Sequence, residues 1–102
     1  MEKLSVVKRQ ENEKLTVITA GKIDTSNSSD FDAEIKSSLE GIMELVLDFG
    51  ELKYISSSGL RSLLSLTKIM AAKGGKMTII NPTPMVSEVF RVTGFDNVLN
   101  IE

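Results

Sequence analysis

"ELVLDFGELKYISSSGLRSLL", residues 44–64, runs an apolar segment into three consecutive hydroxyls and then into an apolar stretch of helical spacing. Residues 44–50 are almost continuously apolar and end on Gly50, which predicts a central strand covered on both faces. After Ser56, Ser57 and Ser58, the side chains of Leu60, Leu63, Leu64, Met70 and Ala71 fall on one broad helical face, with Ile69 off it. Gly74, in "KGG", is expected just past the end of that helix. A buried strand followed at once by a capped helix is half of a crossover unit, so the search widens to its neighbours.

Upstream, residues 4–10 and 14–20 read as two short strands joined by a polar "ENE" turn. "GKIDTSNSSDF" then turns the chain at Gly21, and Phe31, Ile35, Leu39 and Ile42 predict a first helix over 27–40, ending before Gly41. Downstream, "KMTII" is a fourth strand. Thr83 followed by Pro84 is a cap with a first-turn proline, opening a third helix whose core contacts are Met85, Val86, Val89 and Phe90. Gly94 ends that helix, and "NVLNI" closes the sheet. The order strand, strand, helix, strand, helix, strand, helix, strand predicts an α/β fold: a mixed sheet of four to five strands flanked by about three helices, connected by right-handed crossovers, with residues 1–102 forming one domain. The loops at 21–28, 50–58 and 81–84 gather at one edge of that sheet.

Composition narrows the function. The 102 residues carry 12 Lys and Arg against 14 Asp and Glu, for a net charge of −2, without a basic stripe and with no Trp. Nucleic-acid binding is therefore not expected. No apolar run reaches the roughly 20 residues that span a bilayer, and "MEKLSVVKRQ" lacks the core of a signal peptide, so a soluble cytoplasmic protein without membrane insertion is expected. Cysteine and histidine are both absent. Their absence removes thiolate nucleophiles, the commonest metal ligands and the usual Ser-His-acid arrangement, so neither an enzyme nor a metal or cofactor is expected.

A single serine suffices to cap a helix, at about 1 kcal/mol. The nucleophile elbow Gly-x-Ser-x-Gly is missing, since Ile55 or Ser56 stands where its first glycine belongs. The remaining use of an exposed hydroxyl at a helix start is to accept a phosphate, whose charge of about −1.5 to −2 the positive end of the helix tolerates.

"LVLDFGELKYISSSGLRSLL" resembles the signature of the STAS domain, and in particular of the anti-anti-sigma factors, in which an apolar strand ending in Asp precedes an aromatic-Ile-Asp-Ser-Ser-Gly-Leu segment. The resemblance extends over nearly the whole chain, through "GKIDTSN" to "VFRVTGFDNVLNI". It implies an anti-sigma factor antagonist: unmodified, such a protein binds an anti-sigma factor that is also a serine kinase and so frees a sigma factor. Phosphorylation of the serine before the glycine ends the interaction, and a serine phosphatase restores it. By position, the acceptor is Ser58, with Ser57 and Ser56 behind it as alternatives, and the partner-binding residues are Asp24, Thr25, Ser57, Ser58, Gly59 and Arg61. Ser56 stands where the family has Asp, so an anionic neighbour of the acceptor is missing, while Arg61 adds a cation within one turn of Ser58.

Each of these residues also has a plainer use. Asp24 beside Thr25 and Ser26 is the pattern of an Asx turn, and Asp48 suits a strand-end carboxylate accepting N–H bonds from the next loop. Gly59 is expected to leave room for a partner's backbone. The alternative functional reading is a structural or adaptor subunit of a signalling or transporter-associated complex, in which the serines only cap the helix.

Overall fold

The computed structural model describes residues 3–102. Strand β1 (Ser5–Glu11) turns through Asn12 and Glu13 into β2 (Lys14–Ile23), with Asn12 in the left-handed region at φ 56°. The pair is antiparallel in the register Glu11↔Lys14 to Ser5↔Ala20. Helix α1 (Ser28–Lys36), β3 (Glu44–Ile55), α2 (Ser57–Ala72), β4 (Lys76–Ile80) and α3 (Pro84–Thr93) follow, and a short 3-10 turn spans Phe95–Asn97. The sheet order is β1-β2-β3-β4, with β2, β3 and β4 parallel. Successive parallel steps in one direction, each right-handed, lay α1 and α2 side by side on the same face.

That face holds the core. Leu15 and Val17 of β2, Leu45, Leu47 and Phe49 of β3, and Met77 and Ile79 of β4 pack against Phe31 and Ile35 of α1 and Leu63, Leu66 and Met70 of α2. Strand alternation sends Thr16, Ile18, Val46, Asp48, Thr78 and Ile80 the other way. Among the described residues no helix covers them, and Val46, although buried, stands outside the core cluster. The expectation that strand 44–50 is covered on both faces is thus corrected: β3 is central in the sheet, but over 44–48 only one of its faces meets helices.

Further expectations are adjusted. Gly50 does not end β3, which continues to Ile55. Its register against β2 slips between Ile18↔Asp48 and Ala20↔Glu51, and the extra residue on β3 is a bulge that glycine accommodates. The expected loop at 50–58 therefore shrinks to the single step at Ser56. Helix α1 stops at Lys36, four residues early, and its continuation to Leu39 consists of turns that still bury Leu39. Thr83 caps α3 through Val86 N–H with Pro84 in the first turn, and Gly94 ends it at φ 79°. Met85, however, is 59% exposed, because α3 turns Val86 and Phe90 inward and places Met85 and Val92 outside. The closing strand reduces to one parallel bridge, Ile79↔Ile101, on the outer edge of β4.

Candidate functional site

The C-terminal ends of β2 and β3 lie side by side, with Ile23 paired to Ile55 and Ser56 N–H donating to the Ile23 carbonyl at 2.8 Å. This brings the turn at 24–27 against the start of α2. Ser56 is the N-cap: its hydroxyl accepts from Gly59 N–H at 3.2 Å, while Ser57 and Ser58 open the helix. Of the three serines, Ser56 is buried, Ser57 exposed and Ser58 half-buried.

The Ser58 hydroxyl is not idle. Ser28, at the start of α1, donates to it at 2.8 Å, and Ser58 and Ser56 share a hydrogen bond at 2.9 Å. A second link between the two helices lies one turn on, where the buried Ser62 donates to Asp32 at 2.5 Å and Asp32 pairs with Lys36 at 2.8 Å. Ser28, Ser29, Asp32, Lys36, Ser58 and Arg61, with Ser62 and Ser65, line an open groove of about 260 Å³ between α1 and α2. Arg61 is exposed and has no ion pair among the described residues. Ser28, Asp32 and Ser62 are participants that sequence reading did not find, since their partners lie 30 residues away.

Asp24 forms the expected Asx turn. Its carboxylate accepts from Ser26 N–H at 2.9 Å, from the Ser26 hydroxyl at 2.6 Å and from Asn27 N–H at 3.2 Å. The Ser26 hydroxyl, followed by these backbone N–H groups, holds the carboxyl below its ordinary value. Its carbonyl accepts from Ser28 N–H, so Asp24 connects to Ser58 through Ser28. Asp24 does not line the Ser58 groove; it lines a separate concavity of about 650 Å³, with Lys22, Phe31 and Glu34. Thr25 is exposed at the tip of the turn. Asp48 accepts from Gly50 N–H at 3.0 Å, as expected of its structural reading, although within the bulge of β3 rather than at a strand end.

The reason for Gly59 is corrected. It is buried, and a Cβ there would meet Ile55 Cγ1 at 2.7 Å and Ile23 Cγ2 at 2.8 Å. Glycine is needed so that α2 can sit down on the ends of β2 and β3, and not to admit a partner's backbone.

The family model for the STAS domain matches residues 5–102. This chain belongs to the STAS domain family. BtrV of Bordetella bronchiseptica, a protein named as an anti-sigma factor antagonist, is 33% identical over 82 residues, covering 79% of this chain and 71% of BtrV. Among solved structures, the fold is shared with the anti-sigma factor antagonist SpoIIAA in its unphosphorylated form (TM-score 0.83, 20% identity, 96% of this chain and 88% of that one). It is shared also with an anti-sigma factor antagonist of Thermotoga maritima (TM-score 0.87, 16% identity, 94% and 84%). The phosphorylated form of Bacillus SpoIIAA superposes as well (TM-score 0.75, 19% identity, 96% and 91%). The STAS order β-β-α-β-α-β-α-β is therefore that of this chain, with its last strand reduced to a bridge.

Proposed function

We propose that this STAS domain is an anti-sigma factor antagonist, a regulatory binding module whose Ser58 edge docks on an anti-sigma factor serine kinase and is switched off by phosphorylation of Ser58. The observation that carries it is the placement of Ser58: a half-buried serine in the first turn of α2, lining a groove together with Arg61, which has no ion pair among the described residues. The named relative BtrV supports the same reading. In this reading Ser57 and Arg61 contact the partner beside Ser58, Asp24 and Thr25 contact it from the adjoining 24–27 turn, and a serine phosphatase reverses the modification.

The physics separates the two effects of the phosphate. Inside the domain it faces free N–H groups at a helix N-terminus, an arrangement worth about 0.3–1 kcal/mol at an exposed site. Ser56 is neutral where the family has Asp, so no carboxylate at the cap opposes the phosphate. Across an interface, a like charge at about 4 Å costs roughly 4 kcal/mol at intermediate dielectric, about a thousandfold in affinity. The fold tolerates the modification and the complex does not.

Incubation with the cognate anti-sigma kinase and ATP, followed by peptide mass mapping, tests the assignment. Stoichiometric phosphate on Ser58, lost in Ser58→Ala, is the expected result. Phosphate on Ser57 or Ser56 alone would move the acceptor off Ser58, and none with an active kinase would return the three serines to capping and the protein to an adaptor role.

A further inference from the structure

The helix-free face of the sheet carries an ordered pattern of charge. The strand registers set Glu11, Lys14, Glu44 and Lys76 side by side across β1, β2, β3 and β4, so that sign alternates over the full width of the sheet. None of the four closes a side-chain ion pair or hydrogen bond among the described residues. The next rungs on the same face are Arg9, Thr16, Val46 and Thr78, then Val7, Ile18, Asp48 and Ile80. Val7 is 48% exposed, and Ile18 and Ile80 are partly exposed. In the middle rung Val46 and Thr78 are buried, Thr78 accepting from Asn100 at 3.0 Å, so what this helix-free face leaves exposed is Val7, Ile18 and Ile80 beside a row of charges unpaired among the described residues.

A row of alternating signs has a particular symmetry. Turned about a two-fold axis parallel to the strands and midway between β2 and β3, the row reverses order, and every charge then meets its opposite. We propose that this face pairs with the same face of a second copy of the chain in that arrangement. Glu11 then lies over Lys76 of the second copy, Lys14 over its Glu44, and Val7 over its Ile80, each contact occurring twice as an isologous interface requires. A two-fold axis across the strands would carry the charged row to the far end of the second sheet and leave the four charges unmatched, so the pattern selects one orientation. Sheets packed in this aligned way sit about 10 Å apart, within reach of Lys and Glu side chains from both sides. The patch of four strands at about 4.8 Å by three rungs at about 7 Å covers roughly 400 Å² per copy, about 800 Å² in total and below the range of stable complexes, which makes the pair a weak, reversible dimer. Ser58 lies among the helices on the other side, so this pairing stands or falls independently of phosphorylation.

Sedimentation velocity of the full chain, over a hundredfold concentration range reaching about 1 mM, tests the proposal. The expected result is a concentration-dependent monomer–dimer equilibrium. Lys14→Glu sets like charges against each other twice per dimer and raises the dissociation constant at least about tenfold. Lys14→Glu combined with Glu44→Lys restores it, although inside one sheet that exchange places like charges next to each other. Should Lys14→Glu fold poorly by circular dichroism, Val7→Arg on the exposed edge strand weakens the same dimer. A monomer at every concentration, or a dimer indifferent to both Lys14→Glu and Val7→Arg, would overturn the proposal.

Discussion

Replacing Gly59 by alanine tests how the site is seated on the sheet. The added Cβ falls 2.7 Å from Ile55 Cγ1, 2.8 Å from Ile23 Cγ2 and 3.3 Å from Ile55 Cδ1, where normal carbon contacts begin near 3.5 Å. Neither isoleucine can swing aside, since Ile23 is 0% and Ile55 2% exposed. Overpacking of this kind costs about 1–3 kcal/mol. Alanine returns up to about 1 kcal/mol through its higher helix propensity, an upper bound in the first turn. The net loss is about 1–2 kcal/mol, which for a domain of this size lowers Tm by roughly 5–15 °C. Thermal unfolding followed by circular dichroism at 222 nm reads it directly. A Tm equal to or above that of the parent would mean that α2 does not rest on Ile23 and Ile55 as described, and that the glycine serves something outside the domain.

Three further outcomes are expected. Thr19→Val raises stability by about 1 kcal/mol in denaturant titration, because the Thr19 hydroxyl is fully buried without a hydrogen-bond partner among the described residues and valine keeps its shape. Asp24→Ala lowers Tm at neutral pH, and the gap from the parent closes on acidification. The Asp24 carboxyl is held below its ordinary value in the folded state, so its contribution is present above that value and is lost as pH falls through the folded pKa; a gap that did not narrow at all on acidification would contradict the Ser26 and Asn27 bonds as its source. Ser62→Ala costs about 1–2 kcal/mol by removing the charge-assisted bond to Asp32 that ties α2 to α1, measured by chemical denaturation; no change would show that bond to be dispensable.

Local chemistry made much of the fold readable. Thr83 with Pro84, Gly94 past α3 and Gly74 past α2 are signals whose meaning is set within a few residues, and each stands where its chemistry places it. Gly50 misled because glycine marks both a strand's end and a bulge, and only pairing with β2 distinguishes them. Helical spacing shows that an apolar face exists but not which side of it meets the core, so Met85 was read inward while α3 turns it out. The same limit governs the site. Ser56 as the cap and Asp24 as an Asx turn rest on neighbours in sequence, whereas the Ser28–Ser58 and Asp32–Ser62 bonds arise only when two helices are laid side by side. The position of Gly59 was legible from the motif, but its physical reason was not, because Ile23 and Ile55 converge on it only in the folded sheet.

In the proposed function, charge on Ser58 breaks an interface without disturbing the domain. Titration calorimetry of the cognate anti-sigma kinase with unmodified and Ser58-phosphorylated protein, accompanied by thermal melts of both forms, tests it most directly. The expected result is about a thousandfold loss of affinity with Tm values within a few degrees of each other. Equal affinity for the two forms, or a phosphorylated protein that has lost its fold, would contradict it.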